Sequence, residues 1–198
     1  GGNLLVQGGA ALLDTGTVTL NSANSTFTIG TSETIGSLQG GGTTAITANQ
    51  TLTISETGNA TYAGAITGAG ALTKNGAGAL TLSGTNTYSG NTTISAGTLA
   101  VYGLLGGGNY SASITNNGSF LLASSSNQTL GGVISGTGAM TKDGSGTLTL
   151  AGMNIYSGNT TINSGTLVVT STGQISHSGS ALNIGDGSGD DATFTLNG

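Results

Sequence analysis

The sequence contains no cysteine, proline or tryptophan, and because both of its basic residues are lysines it contains no arginine either. Without cysteine the chain cannot be held together by disulfide bonds, and its compartment cannot be read from them. Without proline no strand loses a backbone hydrogen-bond donor. The scarcity of basic residues argues against nucleic acids and anionic membranes as partners, since both are bound by positive patches.

Charge and long apolar segments are scarce as well. Two basic and seven acidic residues give a net charge of −5 over 198 residues. No apolar run approaches the length of a transmembrane helix, and the sequence shows no signal peptide and no initiating methionine. We therefore expect either a mature secreted protein or a segment of a longer chain, with no embedded membrane segment.

Glycine is abundant, at 39 residues, and this composition leaves three alternatives. A disordered linker would lack regularly placed leucine, isoleucine and valine. Collagen needs glycine at every third position and abundant proline. The third alternative is a β-rich extracellular scaffold, because threonine, serine and valine favour strands whereas glycine and asparagine favour turns. The sequence favours this scaffold.

A stretch of 35 residues occurs twice, at 68–102 and 136–170, and 23 of the 35 positions are identical without a gap. The spacers 39–67 and 107–135 align in the same frame, so a 68-residue period covers about two thirds of the chain. Internal repeats of this kind stack into solenoids. We expect residues 1–198 to form one solenoid segment, with divergent coils as its flanks.

Apolar residues alternate with threonine or serine, which predicts short strands with one buried face. Successive apolar pairs begin at Leu80, Leu99, Phe120 and Leu148, and their uneven intervals together make up one period. One repeat would then equal three coils of about 22 residues each, and the chain would make roughly nine coils. The flanking pairs alternate in the same way, and they are Val18/Leu20, Phe27/Ile29, Leu182/Ile184 and Phe194/Leu196.

The fold expected from this pattern is an all-β, right-handed parallel β-helix. Each coil pairs its backbone with the coils above and below, which satisfies the hydrogen bonds of a polar sequence. The hand follows from the rule that crossovers between parallel strands are right-handed in nearly all proteins. The sequences Lys74-Asn75-Gly76, Asn117-Gly118 and Ser83-Gly84-Thr85-Asn86 predict turns able to take positive φ.

The repeated stretch resembles the autotransporter-associated β-strand repeat of Gram-negative surface proteins. The first copy departs from that pattern at Ala79, where threonine is preferred. The second copy matches it at Gly138, Thr141, Lys142, Gly144, Gly146, Thr147, Leu148, Leu150, Gly152, Asn154, Tyr156, Gly158, Thr160, Thr161, Ile162, Gly165, Thr166 and Leu167.

The resemblance implies a right-handed parallel β-helix in the passenger region of a type V secreted protein. Such passengers are exported across the outer membrane, and their functions include adhesion, aggregation and stalk formation. The location it implies is extracellular, or anchored at the outer membrane of a Gram-negative bacterium.

The sequence predicts no catalytic residue, no cofactor site and no enzyme activity. His177 is the single histidine, so the usual multi-histidine metal sites are excluded. We interpret it as a solvated turn residue. The acids Asp14, Glu33, Glu56 and Asp143 are scattered, whereas β-helix enzymes that cleave polysaccharides generally cluster carboxylates with basic residues. A carbohydrate-active enzyme would have to depend on His177 or on the acids between Asp186 and Asp191.

One acidic cluster, GDGSGDD at 185–191, offers oxygens that could bind calcium through Asp186, Asp190 and Asp191. No second copy completes the site and no bidentate glutamate follows it. The favoured interpretation is a solvated corner loop, so no metal site is predicted.

Two pairs of residues recur between the copies: Lys74 with Lys142, and Tyr88 with Tyr156. They could form a surface ladder that recognises a ligand. The favoured alternative is that each lysine caps a corner while each tyrosine ring packs on adjacent coils. Asn91-Thr92-Thr93 and Asn159-Thr160-Thr161 have the form of glycosylation triplets, a weaker interpretation in a threonine-rich chain.

These observations predict a noncatalytic structural or adhesive segment of an extracellular or cell-surface protein. The alternative is a subunit of a self-assembling extracellular fibre or surface layer, since an uncapped solenoid exposes strand edges that invite axial stacking. The expected partners are accordingly further copies of the chain, end to end, or other cell-surface molecules.

Overall fold

The computed structural model describes residues 1–175, 181–185 and 191–197. Its described residues form short β-strands and one 3₁₀ turn, Gly106–Gly108. In chain order the strands are β1 (Asn3–Val6), β2 (Thr17–Leu20), β3 (Thr26–Ile29), β4 (Glu33–Ile35), β5 (Ser37–Gly40), β6 (Thr43–Ile46), β7 (Thr51–Ser55), β8 (Asn59–Tyr62), β9 (Ala65–Gly68), β10 (Ala71–Asn75), β11 (Ala79–Leu82), β12 (Thr92–Ile94), β13 (Thr98–Val101), β14 (Asn109–Tyr110), β15 (Ile114–Asn116), β16 (Ser119–Leu122), β17 (Gln128–Leu130), β18 (Ile134–Ser135), β19 (Ala139–Lys142), β20 (Thr147–Leu150), β21 (Thr160–Ile162), β22 (Gly165–Val169), β23 (Leu182–Ile184) and β24 (Ala192–Leu196).

The strands stack into four sheets, which we name by their strand number. The six-strand sheet is β4-β7-β10-β12-β15-β18, and the nine-strand sheet is β2-β5-β8-β11-β13-β16-β19-β21-β23. The third side of the solenoid consists of two sheets in succession. The four-strand sheet, β1-β3-β6-β9, comes first, and the five-strand sheet, β14-β17-β20-β22-β24, follows it. The strand pairs are parallel, so the chain winds from side to side as a solenoid.

The nine strands of the longest sheet mark nine successive coils. Each residue in that sheet pairs with one that lies a single coil further along the chain, as Leu80 does with Leu99. The prediction of an all-β solenoid of parallel coils, about nine in number, is confirmed. The flanking alternations also form strands of the same sheets, as β2, β3, β23 and β24.

The prediction that the third coil of the repeat extends from Phe120 to Leu148 is wrong. Leu80 pairs with Leu99, and Leu99 with Phe120, as the spacing predicted. Phe120 then pairs with Met140 rather than with Leu148. Leu148 instead lies in the five-strand sheet, where its partner is Gln128. The interval from Phe120 to Leu148 is therefore one coil, which is complete at Met140, plus one further side.

One repeat accordingly equals three coils and one side, rather than three coils. Leu72 of the first copy lies in the six-strand sheet, and its equivalent Met140 lies in the nine-strand sheet. Leu80 lies in the nine-strand sheet, and its equivalent Leu148 lies in the five-strand sheet. Each repeat copy is thus turned by one side of the solenoid relative to the other.

The core consists of inward-facing columns that run along the solenoid axis. Leu80, Leu99, Phe120 and Met140 form one such column and are at most 1% exposed. The residues that alternate with this column on the outer face are Thr81, Ala100, Leu121 and Thr141, as the strand period requires. The low charge of the chain is compatible with folding because backbone pairing and narrow apolar columns supply the stabilisation.

Glycine columns form the corners where neighbouring coils approach most closely. Gly58, Gly78 and Gly97 stack in one column, and a Cβ on Gly78 would overlap the carbonyl oxygen of Gly58. Gly76 has the predicted positive φ, at 79°. Gly84 and Gly118 lack a positive φ and are required by close backbone approach instead. The predicted turns are present, but two of their glycines serve packing.

Candidate functional site

The repeated lysines lie inside the solenoid. Lys74 is fully buried in the six-strand sheet, where its neighbours in the inward column are Ile54 and Ile94. Lys142 is 3% exposed in the nine-strand sheet. Their side chains occupy positions that apolar residues fill in the adjacent coils. They are therefore not available as a surface ladder for a ligand.

Each lysine ammonium group binds backbone carbonyls at a corner. Lys74 Nζ donates to the carbonyl oxygens of Asn75 at 2.7 Å and Gly76 at 2.8 Å, and to that of Ala96 on the next coil at 3.4 Å. Lys142 Nζ makes the same contacts, at 2.9, 2.6 and 3.1 Å, to the carbonyl oxygens of the residues at the same sequence offsets, namely Asp143, Gly144 and Ser164. This geometry agrees with the corner-cap interpretation. The two copies of the repeat therefore form the same local structure on two different sides of the solenoid.

Burial lowers the pKa of both lysines. For Lys74 desolvation is the main cause, and the nearby Glu56 carboxylate opposes it. For Lys142 desolvation again dominates, opposed by Asp143. A lysine with a lowered pKa can act as a nucleophile elsewhere. Here the ammonium groups are enclosed by carbonyl oxygens inside the fold, so the arrangement serves corner packing.

The repeated tyrosines are buried and hydrogen-bonded to threonines. The Tyr88 hydroxyl lies 2.7 Å from Thr92 Oγ1, and the Tyr156 hydroxyl lies 2.6 Å from Thr160 Oγ1, at the same spacing of four residues. Tyr110 packs edge-on against Tyr88, with ring centroids 5.5 Å apart. Burial raises the pKa of Tyr110 to about 12. These contacts agree with the prediction that the rings pack within the stack.

Two of the scattered acids are also buried, which the sequence did not indicate. Glu33 accepts hydrogen bonds from the backbone amides of Ala11 at 3.0 Å and Leu12 at 2.6 Å. Glu56 accepts from Ser37 Oγ at 2.5 Å and from the Gly58 amide at 3.1 Å. The register could have signalled this burial, because Glu33 is paired with the core residue Leu52.

Asparagines perform a similar structural role that sequence reasoning missed. Asn86 Oδ1 accepts from the Ile66 amide at 3.0 Å, and the repeat equivalent Asn154 accepts from the Ile134 amide at 2.8 Å. Both side chains are fully buried. The recurrence of this asparagine in both copies was the available signal. Its partner lies one coil earlier in the chain, so the contact depends on the coil length.

The acidic segment 185–191, for which a solvated corner loop is predicted, and the single histidine lie largely outside the described residues. His177, Asp186 and Asp190 lie outside the described residues, whereas Asp191 directly precedes β24. Across residues 1–175, 181–185 and 191–197, no three histidine or acidic side chains come together as metal ligands. The solvated-loop interpretation of residues 185–191 therefore stays a prediction.

Both repeat copies match the model of a known protein family. The model of the passenger-associated-transport-repeat family matches residues 72–101 and 140–169. The resemblance to autotransporter passenger repeats is confirmed. Both matched segments begin at an inward apolar residue, Leu72 or Met140, and extend through the lysine corner and the buried tyrosine. The passenger-associated repeat thus consists largely of the residues that form the core and corners.

The chain is also similar to the adhesin BmaC autotransporter of Brucella suis biovar 1 (strain 1330), at 41% identity over 94 residues. The similarity covers 48% of this chain and 2% of that relative. No solved structure matches the chain. Within the described residues, no helix is long and apolar enough to cross a membrane.

Proposed function

We propose that this chain is a surface-exposed segment of an autotransporter passenger, and that it acts as a noncatalytic stalk in adhesion. The observation that carries the proposal is the buried position of the repeated lysines and tyrosines. Lys74, Lys142, Tyr88 and Tyr156 are directed into the solenoid rather than towards a ligand. The match to the passenger-associated repeat and the similarity to an adhesin support the same function.

A solenoid of this composition suits presentation outside a cell. Each coil contacts only its neighbours, so length can be added by repetition without changing the core. The chain contains no cysteine, so its stability does not depend on the redox state of the compartment. The proposed location is the outer surface of a Gram-negative bacterium, with other cell-surface molecules as partners.

Labelling of intact cells tests the proposed location. An antibody raised against the purified chain should label unpermeabilised bacteria that express the parent gene, and external protease should remove the label. A matched strain with codons 1–198 deleted in frame should lose the label and attach less well to host cells. Labelling that requires permeabilised cells would contradict the proposal.

The purified chain then distinguishes the stalk from a fibre subunit and from an enzyme. Electron microscopy at high concentration should show discrete particles, and incubation with polysaccharides should release no reducing ends. Concentration-dependent filaments would instead support self-assembly as the function. Hydrolysis that disappears in the variant His177→Ala would favour an enzyme.

A further inference from the structure

An uninterrupted row of hydroxyl groups runs along the outer face of the six-strand sheet. The register pairs each member with the next, one coil further on. Stacked strands lie about 4.8 Å apart, so the row presents hydroxyl groups at that interval. We call this the hydroxyl row, and its members are Thr34, Thr53, Thr73, Thr93, Thr115 and Ser135.

The hydroxyl row faces solvent and is not used by the fold. Each member has buried neighbours on its own strand, such as Leu52 and Ile54 around Thr53, and is itself partly exposed. None of the side-chain hydrogen bonds found among the described residues involves a member of the row. Each hydroxyl group is therefore free both to donate and to accept hydrogen bonds on the outer face.

The duplication does not explain this continuity. Because each copy is turned by one side, the repeat equivalent of Thr53 is Leu121, on the nine-strand sheet. That leucine interrupts the corresponding outer row of its own sheet. The rows on the other two sheets are interrupted by Ala45 and Val168. Only the six-strand sheet, among the described sheets, retains a hydroxyl group in this position at every one of its strands.

Beyond its first two coils, the hydroxyl row has uncharged surroundings. The residues beside it, at or just beyond the strand ends, are Thr51, Ala71, Asn91, Ser113 and Val133 on one flank and Ser55, Asn75, Ser95 and Asn117 on the other. The exceptions are the acids Asp14 and Glu33, which line a shallow depression at the first-coil end together with Thr34 and Thr53. Over the remaining coils the face offers neutral hydrogen-bonding groups without the charged or aromatic anchors typical of protein interfaces.

We propose that the hydroxyl row binds an uncharged, extended polysaccharide lying along the solenoid axis, with about one sugar per coil. The advance per sugar of an extended β-1,4-linked hexose polymer is close to the coil spacing, so successive sugars lie beside successive coils and equivalent sugar edges recur at every second coil. Sugar hydroxyl groups both donate and accept, as threonine and serine do. This inference deepens the proposed adhesive function, because it names the chemical class of the surface ligand.

The dependence of affinity on ligand length tests this proposal. Cello-oligosaccharides of two to eight sugars would be titrated into the purified chain by calorimetry. The association constant should rise with each added sugar up to about six, since each sugar engages another coil, and then level off. Oligogalacturonate of matched length, which carries a carboxylate on each sugar, should bind more weakly.

Substitution of threonine by valine tests the contribution of the hydroxyl groups alone. The triple variant Thr53→Val, Thr73→Val, Thr93→Val keeps the β-branched shape that favours strands. It should bind cellohexaose at least about tenfold more weakly, because three hydrogen-bonding groups are lost. The matched control is Thr61→Val, Thr81→Val, Thr141→Val on the outer face of the nine-strand sheet, and it should bind within about twofold of the parent chain.

Circular dichroism would confirm that both triple variants are folded. The proposal is overturned if the parent chain binds no oligosaccharide of the series, if the affinity is independent of length, or if both triple variants lose affinity equally. Equal or tighter binding of oligogalacturonate would overturn it as well. Because the titrations use the purified chain, their failure is distinct from a failure of surface labelling, which concerns the location of the passenger.

Discussion

Lys74 and Lys142 occupy inward positions in a chain that has no other lysine and no arginine. Their aliphatic stems fill the space that isoleucine or leucine fills in adjacent coils, and their ammonium groups reach the corner carbonyls. A buried charge is tolerated when hydrogen bonds replace water around it. The three carbonyl contacts of each lysine meet that requirement and join two coils at the corner.

Replacing Lys74 by methionine keeps the stem but leaves the carbonyl oxygens of Asn75, Gly76 and Ala96 without their donor. The free energy of unfolding should fall by about 1 to 3 kcal/mol. Urea denaturation followed by circular dichroism measures this change. Ser95→Ala, at an exposed position on the next coil, is the control and should change stability by less than about 0.5 kcal/mol. An unchanged denaturation midpoint in Lys74→Met would contradict the corner-cap role.

The raised pKa of the buried Tyr110 predicts a loss of stability at alkaline pH. Burial raises the pKa of Tyr110 from 10.0 to about 12. Below pH 10 both the folded and the unfolded state keep the phenol proton. Between pH 10 and 12 the unfolded state loses it first, so stability falls as the pH rises. The lysines, with lowered pKa values, act in the opposite direction.

Tyr110→Phe separates the two effects, because only the tyrosine contribution is removed. The stability difference between the parent and Tyr110→Phe should be constant below pH 10 and should shrink by about 2 to 3 kcal/mol towards pH 12. Urea midpoints measured in steps across this range provide the test. A difference that stays constant up to pH 12 would show that Tyr110 is not buried as described.

At the scale of the element, the corners limit side-chain size more strictly than the strands do. Gly78 stacks on Gly58 so closely that a Cβ would overlap the carbonyl oxygen below. Gly41 has no atom within 4 Å of its would-be Cβ and no positive φ. Gly78→Ala should destabilise the chain by at least about 2 kcal/mol, and Gly41→Ala should stay within about 0.5 kcal/mol. Thermal unfolding compares the two, and equal effects would refute the stacked-corner description.

Strand alternation in the sequence predicted most of the elements because the inward leucines and isoleucines are regularly placed. It failed where polar residues face inward. β19 contains Met140 and Lys142 at its buried positions, and β17 begins with the buried Gln128, so neither shows the clear apolar pair that marks β20. The apolar pattern therefore connects Phe120 directly to Leu148 and misses the end of the coil at Met140. The physical cause is that corner and core hydrogen bonds satisfy these inward polar groups.

The candidate site was predictable only in part for a related reason. The recurrence of Lys74 and Tyr88 in the second copy marked both as structural or binding residues, and the corner-cap alternative agreed with the geometry. Their burial depends on which residues lie above and below them. Only the register between coils shows which residues these are. For example, it places Ala96, on the coil after Lys74, where its carbonyl oxygen accepts a hydrogen bond from the lysine. A repeat alignment by itself does not contain this information.

At the scale of the whole molecule, the offset of one side per repeat determines what the surface presents. Equivalent residues of the two copies face different directions, as Thr73 does on the six-strand sheet and Thr141 on the nine-strand sheet. A surface feature shared by all copies would therefore be distributed around the axis. A feature confined to one side, such as the hydroxyl row, must be built from different repeat positions.

The most direct test of this register uses engineered cysteines, which the natural chain lacks. Leu121 and Thr141 are paired on the outer face of neighbouring strands, at a separation of about 5 Å that a disulfide bond can span. The variant Leu121→Cys, Thr141→Cys should therefore form an intramolecular disulfide on mild oxidation, detected by mass spectrometry. Leu121→Cys, Thr149→Cys, the pair expected if one repeat equalled three coils, should remain reduced. Disulfide formation in the second pair and not the first would contradict the coil register on which this account rests.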